Sequence, residues 1–172
     1  QSQGAVRKTD NDFDLAIDGK GFFVVDTPQG ERYTRNGSFL RSANGELVTS
    51  DGYKVMGTAG VITVDENAKF TVSPTGEIIV DDVPTDNLRL VDFAENVKLE
   101  KEGSTLFKAP NGATPTDSTA TIVQGSIEMS NVNVVGEMVK LITAYRAYET
   151  NAKAVQSHDA MLDKAVNEVG KV

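Results

Sequence analysis

The chain has 172 residues, 25 acidic and 17 basic, with a net charge of −8. A polyanion such as DNA would be repelled at long range, and the longest basic run, Arg7-Lys8, does not reverse this locally, so nucleic-acid binding is not expected. There is no cysteine and a single histidine, which excludes disulfides, thiolate metal sites, cysteine nucleophiles and zinc sites built from several histidines. No stretch reaches the roughly 18 consecutive apolar residues of a membrane helix, so no membrane insertion is expected.

Residues 1–12 read as an extended N-terminal segment without the apolar core of a secretory signal. The sequence starts at Gln1 and not at Met, so the natural start is expected upstream. Asp10, Asp12 and Asp14 have the spacing of the first ligands of a calcium loop. That loop also needs a glycine at its sixth position and a glutamate at its twelfth, where Gly21 stands, so a solvated acidic entry to a sheet is the reading.

From residue 13 to 129 the chain reads as a β-rich domain. Segments 13–17, 21–26, 31–35, 46–50, 53–57, 61–64, 69–72, 77–80, 88–93 and 121–129 are rich in β-branched and aromatic residues, and several alternate apolar with polar. Gly19-Lys20-Gly21 is a lone GxG. A dinucleotide fingerprint needs a third glycine opening a helix, whereas Phe22-Phe23-Val24-Val25 continues as strand, so a hairpin turn is expected here. Asn36-Gly37, Asn44-Gly45, Asp51-Gly52 and Thr75-Gly76 are further turn signals, because glycine supplies positive φ at little cost. Turn signals about ten residues apart, with no alternation of strand and helix, predict an irregular antiparallel β domain. Residues 109–119 are expected to be an exposed, mobile polar loop.

The period changes near residue 130. Met138, Leu141, Tyr145, Tyr148, Ala152, Val155, Leu162, Val166 and Val169 are spaced alternately by three and four, with only Asp159 interrupting. This is the apolar seam of a coiled-coil helix sustained over about four heptads. The spacing predicts one helix over about 134–168 within a C-terminal segment 130–172. Asn131 or Asn133 is expected to cap its start, and Gly170 its end. Glu149 and Lys153 form a favourable pair one turn apart. The fold class is therefore mainly β with one long C-terminal α-helix. No other segment has the period to cover the seam, so it is expected either to pack on its own β domain or to meet another helix, that of a neighbouring copy being favoured.

Residues that could carry chemistry are few. Ser157-His158-Asp159 superficially resembles a triad, but consecutive helical residues project about 100° apart and cannot align as nucleophile, base and orienter. Glu95, Glu100 and Glu102 could supply paired carboxylates, yet nothing places them in a cleft. Tyr145 and Tyr148 lie on the seam and read as helix–helix contacts rather than a stacking platform. No catalytic residue, metal site or cofactor is expected, and the protein is not expected to be an enzyme.

Two segments resemble the bacterial flagellar rod and hook family. The first is Gln3-Gly4-Ala5-Val6-Arg7-Lys8-Thr9, followed by Asp14-Leu15-Ala16-Ile17-Asp18-Gly19-Lys20-Gly21-Phe22-Phe23. Tyr33-Thr34-Arg35-Asn36-Gly37-Ser38-Phe39 and Leu47–Tyr53 continue it. The second is Gln124-Gly125-Ser126-Ile127-Glu128-Met129-Ser130-Asn131-Val132-Asn133, continuing through Glu137-Met138 to Arg146-Ala147-Tyr148-Glu149. The resemblance implies a β-rich middle domain between paired N- and C-terminal helices that form a coiled coil in the axial structure. The N-terminal helix would precede Gln3. The resemblance further implies a self-assembling structural subunit of the flagellar basal-body rod. It would be exported through the flagellar export apparatus of type III without a cleaved signal, and its partners would be other copies of itself and neighbouring rod and hook-family subunits. Leu88–Phe93 and Leu99–Phe107 look like the connecting segment of the proximal rod type, which is favoured over the distal type. Lateral contacts are expected through polar loops such as 36–38 and 51–53.

Two other functions compete with this one. An extracellular adhesin or carbohydrate-binding β domain would account for the strands but not for the seam. A hydrolase using paired carboxylates would need two close acids in a concave pocket, one with a raised pKa.

Overall fold

The structure is a computed structural model that describes residues 4–129 and the backbone of 134–169, with helix side chains described over 135–164. The chain divides into two units, Gln1–Asn131 and Val132–Val172. The first is built from antiparallel strands, and the second from one helix.

Chain order explains the sheet. After β1 (Val6–Lys8) and β2 (Leu15–Asp18), the central strand β3 (Phe22–Thr27) forms a hairpin with β4 (Gly30–Thr34). Short strands β5 (Phe39–Arg41), β6 (Leu47–Thr49) and β7 (Lys54–Val55) return to the other edge of β3. A three-stranded meander follows, made of β8 (Phe70–Val72), β9 (Glu77–Val80) and β10 (Val83–Asn87). The remaining strands close the domain. They are β11 (Leu90–Asp92), β12 (Glu100–Glu102), β13 (Leu106–Lys108), β14 (Thr116–Asp117), β15 (Thr121–Gln124) and β16 (Ser126–Glu128). β13 pairs with β4, β11 with β3 and β14, β15 with β2, and β16 with β1, all antiparallel. The helix α1 runs over Val134–Val169.

The run Phe22-Phe23-Val24-Val25 is continuously apolar because β3 is covered on both faces. Phe23 and Val25 point into a core shared with Leu15, Ile17, Phe39, Leu47 and Ile78. Phe22 and Val24 point the other way, into a smaller core with Tyr33, Val91 and Phe93. Successive side chains of a strand alternate in direction, so a strand between two cores has no polar face. Edge-to-face ring contacts join each core: Phe23 with Phe39 at 5.1 Å, and Tyr33 with Phe93 at 4.8 Å.

Several local expectations are corrected. Gly19-Lys20-Gly21 is not a hairpin turn, since β2 pairs with β15 and not with β3. It is a corner that carries the chain from one sheet to the next. Residues 121–129 are not one strand: Gly125, at φ 68°, breaks them into β15 and β16, which pair with different partners. Residues 61–64 contribute only isolated bridges, Met56 to Val61 and Glu46 to Thr63. The polar stretch 109–119 contains β14, and Ser118 anchors it by donating through Oγ to the Lys20 carbonyl.

Asn36-Gly37 also differs from the other turn signals. Gly45, Gly52 and Gly76 have φ of 80°, 83° and 89°, as expected, but Gly37 is not among the positive-φ residues. Its requirement is space: a Cβ there would lie 1.6 Å from the Leu15 carbonyl oxygen. The Leu15 N–H donates to the Gly37 carbonyl at 2.9 Å, holding the two backbones together. Gly37→Ala is therefore expected to cost ~3 kcal/mol through overpacking. Gly52→Ala, with open space around it, should cost only about 1 kcal/mol from left-handed strain. Urea denaturation of both variants checks the order, and equal losses would contradict this account.

Candidate functional site

Two features stand out, one in each unit. The first is a polar latch where the chain enters and leaves the β domain. Arg35 lies just after β4, and its Nε donates to Glu128 Oε2 at 2.7 Å. Its Nη1 donates to the carbonyls of Gly19 at 3.1 Å and Gly21 at 3.0 Å, and its Nη2 donates to Gly19 at 3.2 Å. The glycine corner thus turns its carbonyls inward onto one guanidinium. Glu128 uses its other oxygen to accept from the Gly4 N–H at 2.8 Å. The two side chains are 18% and 11% exposed, so solvent screens this ion pair far less than a surface one. A planar fork with five donors suits the arrangement, and a lysine could not reproduce it.

The same region is held by Gln124. Its Nε2 donates to the carbonyls of Asp12 at 2.9 Å and Phe70 at 3.0 Å, while its Oε1 accepts from the Val72 N–H at 3.0 Å. Asp14 is buried, accepts from the Ser38 hydroxyl at 3.2 Å, and offers its carbonyl to the Gly125 N–H at 2.8 Å. Leu15, Ala16, Ile17 and Phe23 are fully buried, and Phe22 nearly so. The N-terminal motif is therefore mostly core, with Gly19 and Gly21 serving the latch.

The second feature is the exposed face of α1. Met138, Leu141, Tyr145, Tyr148, Val155 and Leu162 are exposed, Leu141 and Tyr148 each at 72%. Ala152 is half-buried. The apolar surface is wider than the seam alone in the first half of the helix. Val135, Val139 and Ile142 are exposed too, and at about 100° per residue they extend the stripe to one side of the seam. Arg146 and Glu149 are exposed beside Tyr148, with Lys153 Nζ 2.9 Å from Glu149 Oε1. Ser130, Asn131, Val132, Asn133 and Gly170 lie outside the described residues, as do the side chains of Val166 and Val169.

The chemical candidates are dispersed. Ser157, His158 and Asp159 are all exposed on the helix. Asp10 pairs with Lys8 at 2.7 Å, whereas Asp14 is buried, so the acidic triplet does not converge. Glu102 is paired with Arg32 at 2.8 Å. Glu95 lies in an open cleft of about 480 Å³ with Lys20, Phe22, Phe93 and Leu99. Hydrogen bonding to Lys20, and then its charge, holds the Glu95 carboxyl below the ordinary range. That is the opposite of what a general acid needs. No cluster of three or more metal-ligating side chains occurs among the described residues, and no described helix is long and apolar enough to cross a membrane.

Sequence reasoning missed the latch. Arg35 and Glu128 were each legible only as part of a motif, and Gln124 likewise. Their separation, 93 residues for the ion pair, leaves no local periodicity to find.

A strand domain whose two ends are latched together, and a helix with a bare apolar face, are features of a structural class of protein. Residues 16–80 match the flagellar hook protein FlgE/F/G D1 domain, and residues 123–168 match the flagellar basal body rod FlgEFG protein C-terminal family. The chain is 37% identical over 175 residues to the flagellar basal-body rod protein FlgG of Buchnera aphidicola subsp. Schizaphis graminum, covering 95% of this chain and 67% of the relative. It is 34% identical over 181 residues to the FlgG of Bacillus subtilis, covering 96% and 69%. It is 37% identical over 174 residues to the flagellar basal-body rod protein FlgF of Caulobacter vibrioides, covering 99% and 71%. The chain belongs to the family of flagellar basal-body rod proteins. The adhesin or carbohydrate-binding alternative is not supported by any of these relatives.

The latch makes a measurable prediction. Arg35→Met is expected to destabilise the β domain by ~3 kcal/mol, because Glu128 is left charged and unpaired. Lys20→Met, which breaks the exposed pair with Glu95, should leave the urea midpoint close to that of the unmodified chain. A double-mutant cycle of Arg35→Met and Glu128→Gln in urea measures the coupling, and additive effects would show that the latch holds nothing together.

Proposed function

We propose that this chain is a structural subunit of the bacterial flagellar basal-body rod that self-assembles helically with other copies and with neighbouring axial subunits, using α1 as its assembly helix. The rod function follows from family membership. What supports the assembly role of α1 is one observation: a long helix that exposes Met138, Leu141, Tyr145, Tyr148, Val155 and Leu162. An isolated helix gains little from propensity and depends on packing an amphipathic face. Full burial of side chains of this size is worth about 1.5–3 kcal/mol each. The protein becomes most stable when another helix covers the face.

The β domain supports the same reading from its edge. β1 and β16 are antiparallel, with Val6 opposite Glu128 and Lys8 opposite Ser126. The Met129 N–H donates to the Ala5 carbonyl at 2.8 Å. The two ends of the ribbon, at Ala5 and Met129, therefore lie side by side. This is the geometry that paired helices at the two ends of a chain require. The division into 1–12, 13–129 and 130–172 is kept on this basis, with residues 6–8 belonging to the strand ribbon. The seam residues Ala152, Val166 and Val169 belong to the same assembly surface.

Further parts of the proposal rest on the family. The subunit is exported by the flagellar export apparatus without a cleaved signal, resides in the basal body, binds no cofactor or metal and catalyses no reaction. The proximal rod type is preferred on residues 88–107, although relatives named FlgG and FlgF are equally similar at 37% identity. Lateral contacts are assigned to polar loops such as 36–38, where Asn36 and Ser38 are exposed on either side of the buried Gly37, and 51–53.

Leu141→Asp combined with Leu162→Asp is expected to abolish rod assembly and motility while leaving urea unfolding of the β domain unchanged. Normal motility with both charges in place would overturn the role of α1.

A further inference from the structure

The sequence contains three Asn–Gly dipeptides, at 36–37, 44–45 and 111–112. An Asn side chain followed by glycine is open to intramolecular attack, because no following side chain blocks the approach. The Gly nitrogen loses its proton to a water-borne base and forms a bond to the Asn Cγ. The bond from Cγ to Nδ2 breaks and ammonia leaves, giving a five-membered succinimide. Water then opens the ring at either carbonyl, producing aspartate or an isoaspartate whose backbone runs through Cγ. Each step needs only water, yet the chain must turn far enough to bring the nitrogen over Cγ. Backbone that is hydrogen-bonded or packed must first open, and opening has a free-energy cost.

The three sites differ in that cost. At Asn36, the side-chain oxygen accepts from the Ser38 N–H at 3.1 Å and the backbone N–H donates to Thr34 Oγ1 at 3.0 Å. Gly37 is buried, with no room for even a methyl group beside the Leu15 carbonyl. At Asn44, the attacking nitrogen is engaged, since the Gly45 N–H donates to the Ser42 carbonyl at 3.0 Å. The Gly45 carbonyl is engaged as well, accepting from the Val64 N–H at 2.7 Å. At Asn111 both residues are exposed. They are the central pair of a turn closed only by the Ala113 N–H donating to Pro110 at 3.1 Å. The space around Gly112 is open, and its N–H makes no hydrogen bond among the described residues.

We infer that Asn111 is a spontaneous deamidation and isomerisation site of the folded protein, while Asn36 and Asn44 are protected by the fold. The modification adds a negative charge to a chain already at −8. It falls in the loop between β13 and β14, five residues before the strand that pairs with β11. The inference depends only on the β domain and stands apart from the assembly reading.

Incubation of the folded chain in mildly alkaline buffer, with peptide mapping by mass spectrometry over time, tests it. Replacement of the amide by a carboxyl is expected at residue 111 about tenfold or more faster than at 36 or 44, the suppression that an opening cost of ~1.4 kcal/mol imposes. In denaturant the three rates should converge, and Gly112→Ala should slow the first, with a stability loss no larger than that of Gly52→Ala, which shares its left-handed φ and open surroundings. Equal rates in the folded state, or faster loss of Asn36 or Asn44, would overturn the assignment.

Discussion

The β domain depends on bringing its two ends together, and Arg35 is the side chain that does so. Its guanidinium gathers the carbonyls of the Gly19–Gly21 corner on one side and the Glu128 carboxylate on the other. Charge-assisted hydrogen bonds of this kind are about twice as strong as neutral ones. Here they engage the carbonyls of a corner between sheets. Glu128 passes the restraint on to Gly4. Together with the Gly125 N–H donating to the Asp14 carbonyl at 2.8 Å, it holds the ribbon of β1 and β16 to the domain, since a two-stranded pair alone is marginal in water.

The chain enters the domain through β1 and leaves it through β16, which pair as neighbours. The helix that follows brings a different physical demand. Its exposed apolar side chains represent on the order of 10 kcal/mol of unrealised burial, an upper bound because any unfolded or free state already hides part of that surface. In the proposed assembly, contact with another helix releases this reserve and couples the order of α1 to assembly. The β domain, with its two closed cores around β3, needs no such partner.

Much of this was legible in the sequence, and for physical reasons. The change of period near residue 130 located α1 because helical burial repeats every 3.6 residues regardless of partner. The run Phe22–Val25 was legible as a strand, and its unbroken apolar character reflects cover on both faces. The strands that escaped notice carry no such signature. Val83–Asn87, Glu100–Glu102 and Thr116–Asp117 are mostly exposed, and backbone pairing to an existing edge does not require apolar side chains. Gly37 read as a turn glycine because positive φ and close approach leave the same letter in the sequence. The latch was invisible because an ion pair spanning most of the domain has no period at all. The width of the apolar face on α1 was underestimated for a simpler reason: a heptad template counts two positions in seven, and Val135, Val139 and Ile142 fall outside them.

Amide hydrogen exchange of α1, compared between the free chain and assembled rods, tests the central claim most directly. The account predicts rapid exchange along 138–162 in the free chain, slow exchange in the β3 and β4 amides of the same sample, and strong protection of 138–162 once rods form. Helix amides that are as protected in the free monomer as in the rod, or that stay unprotected after assembly, would contradict it.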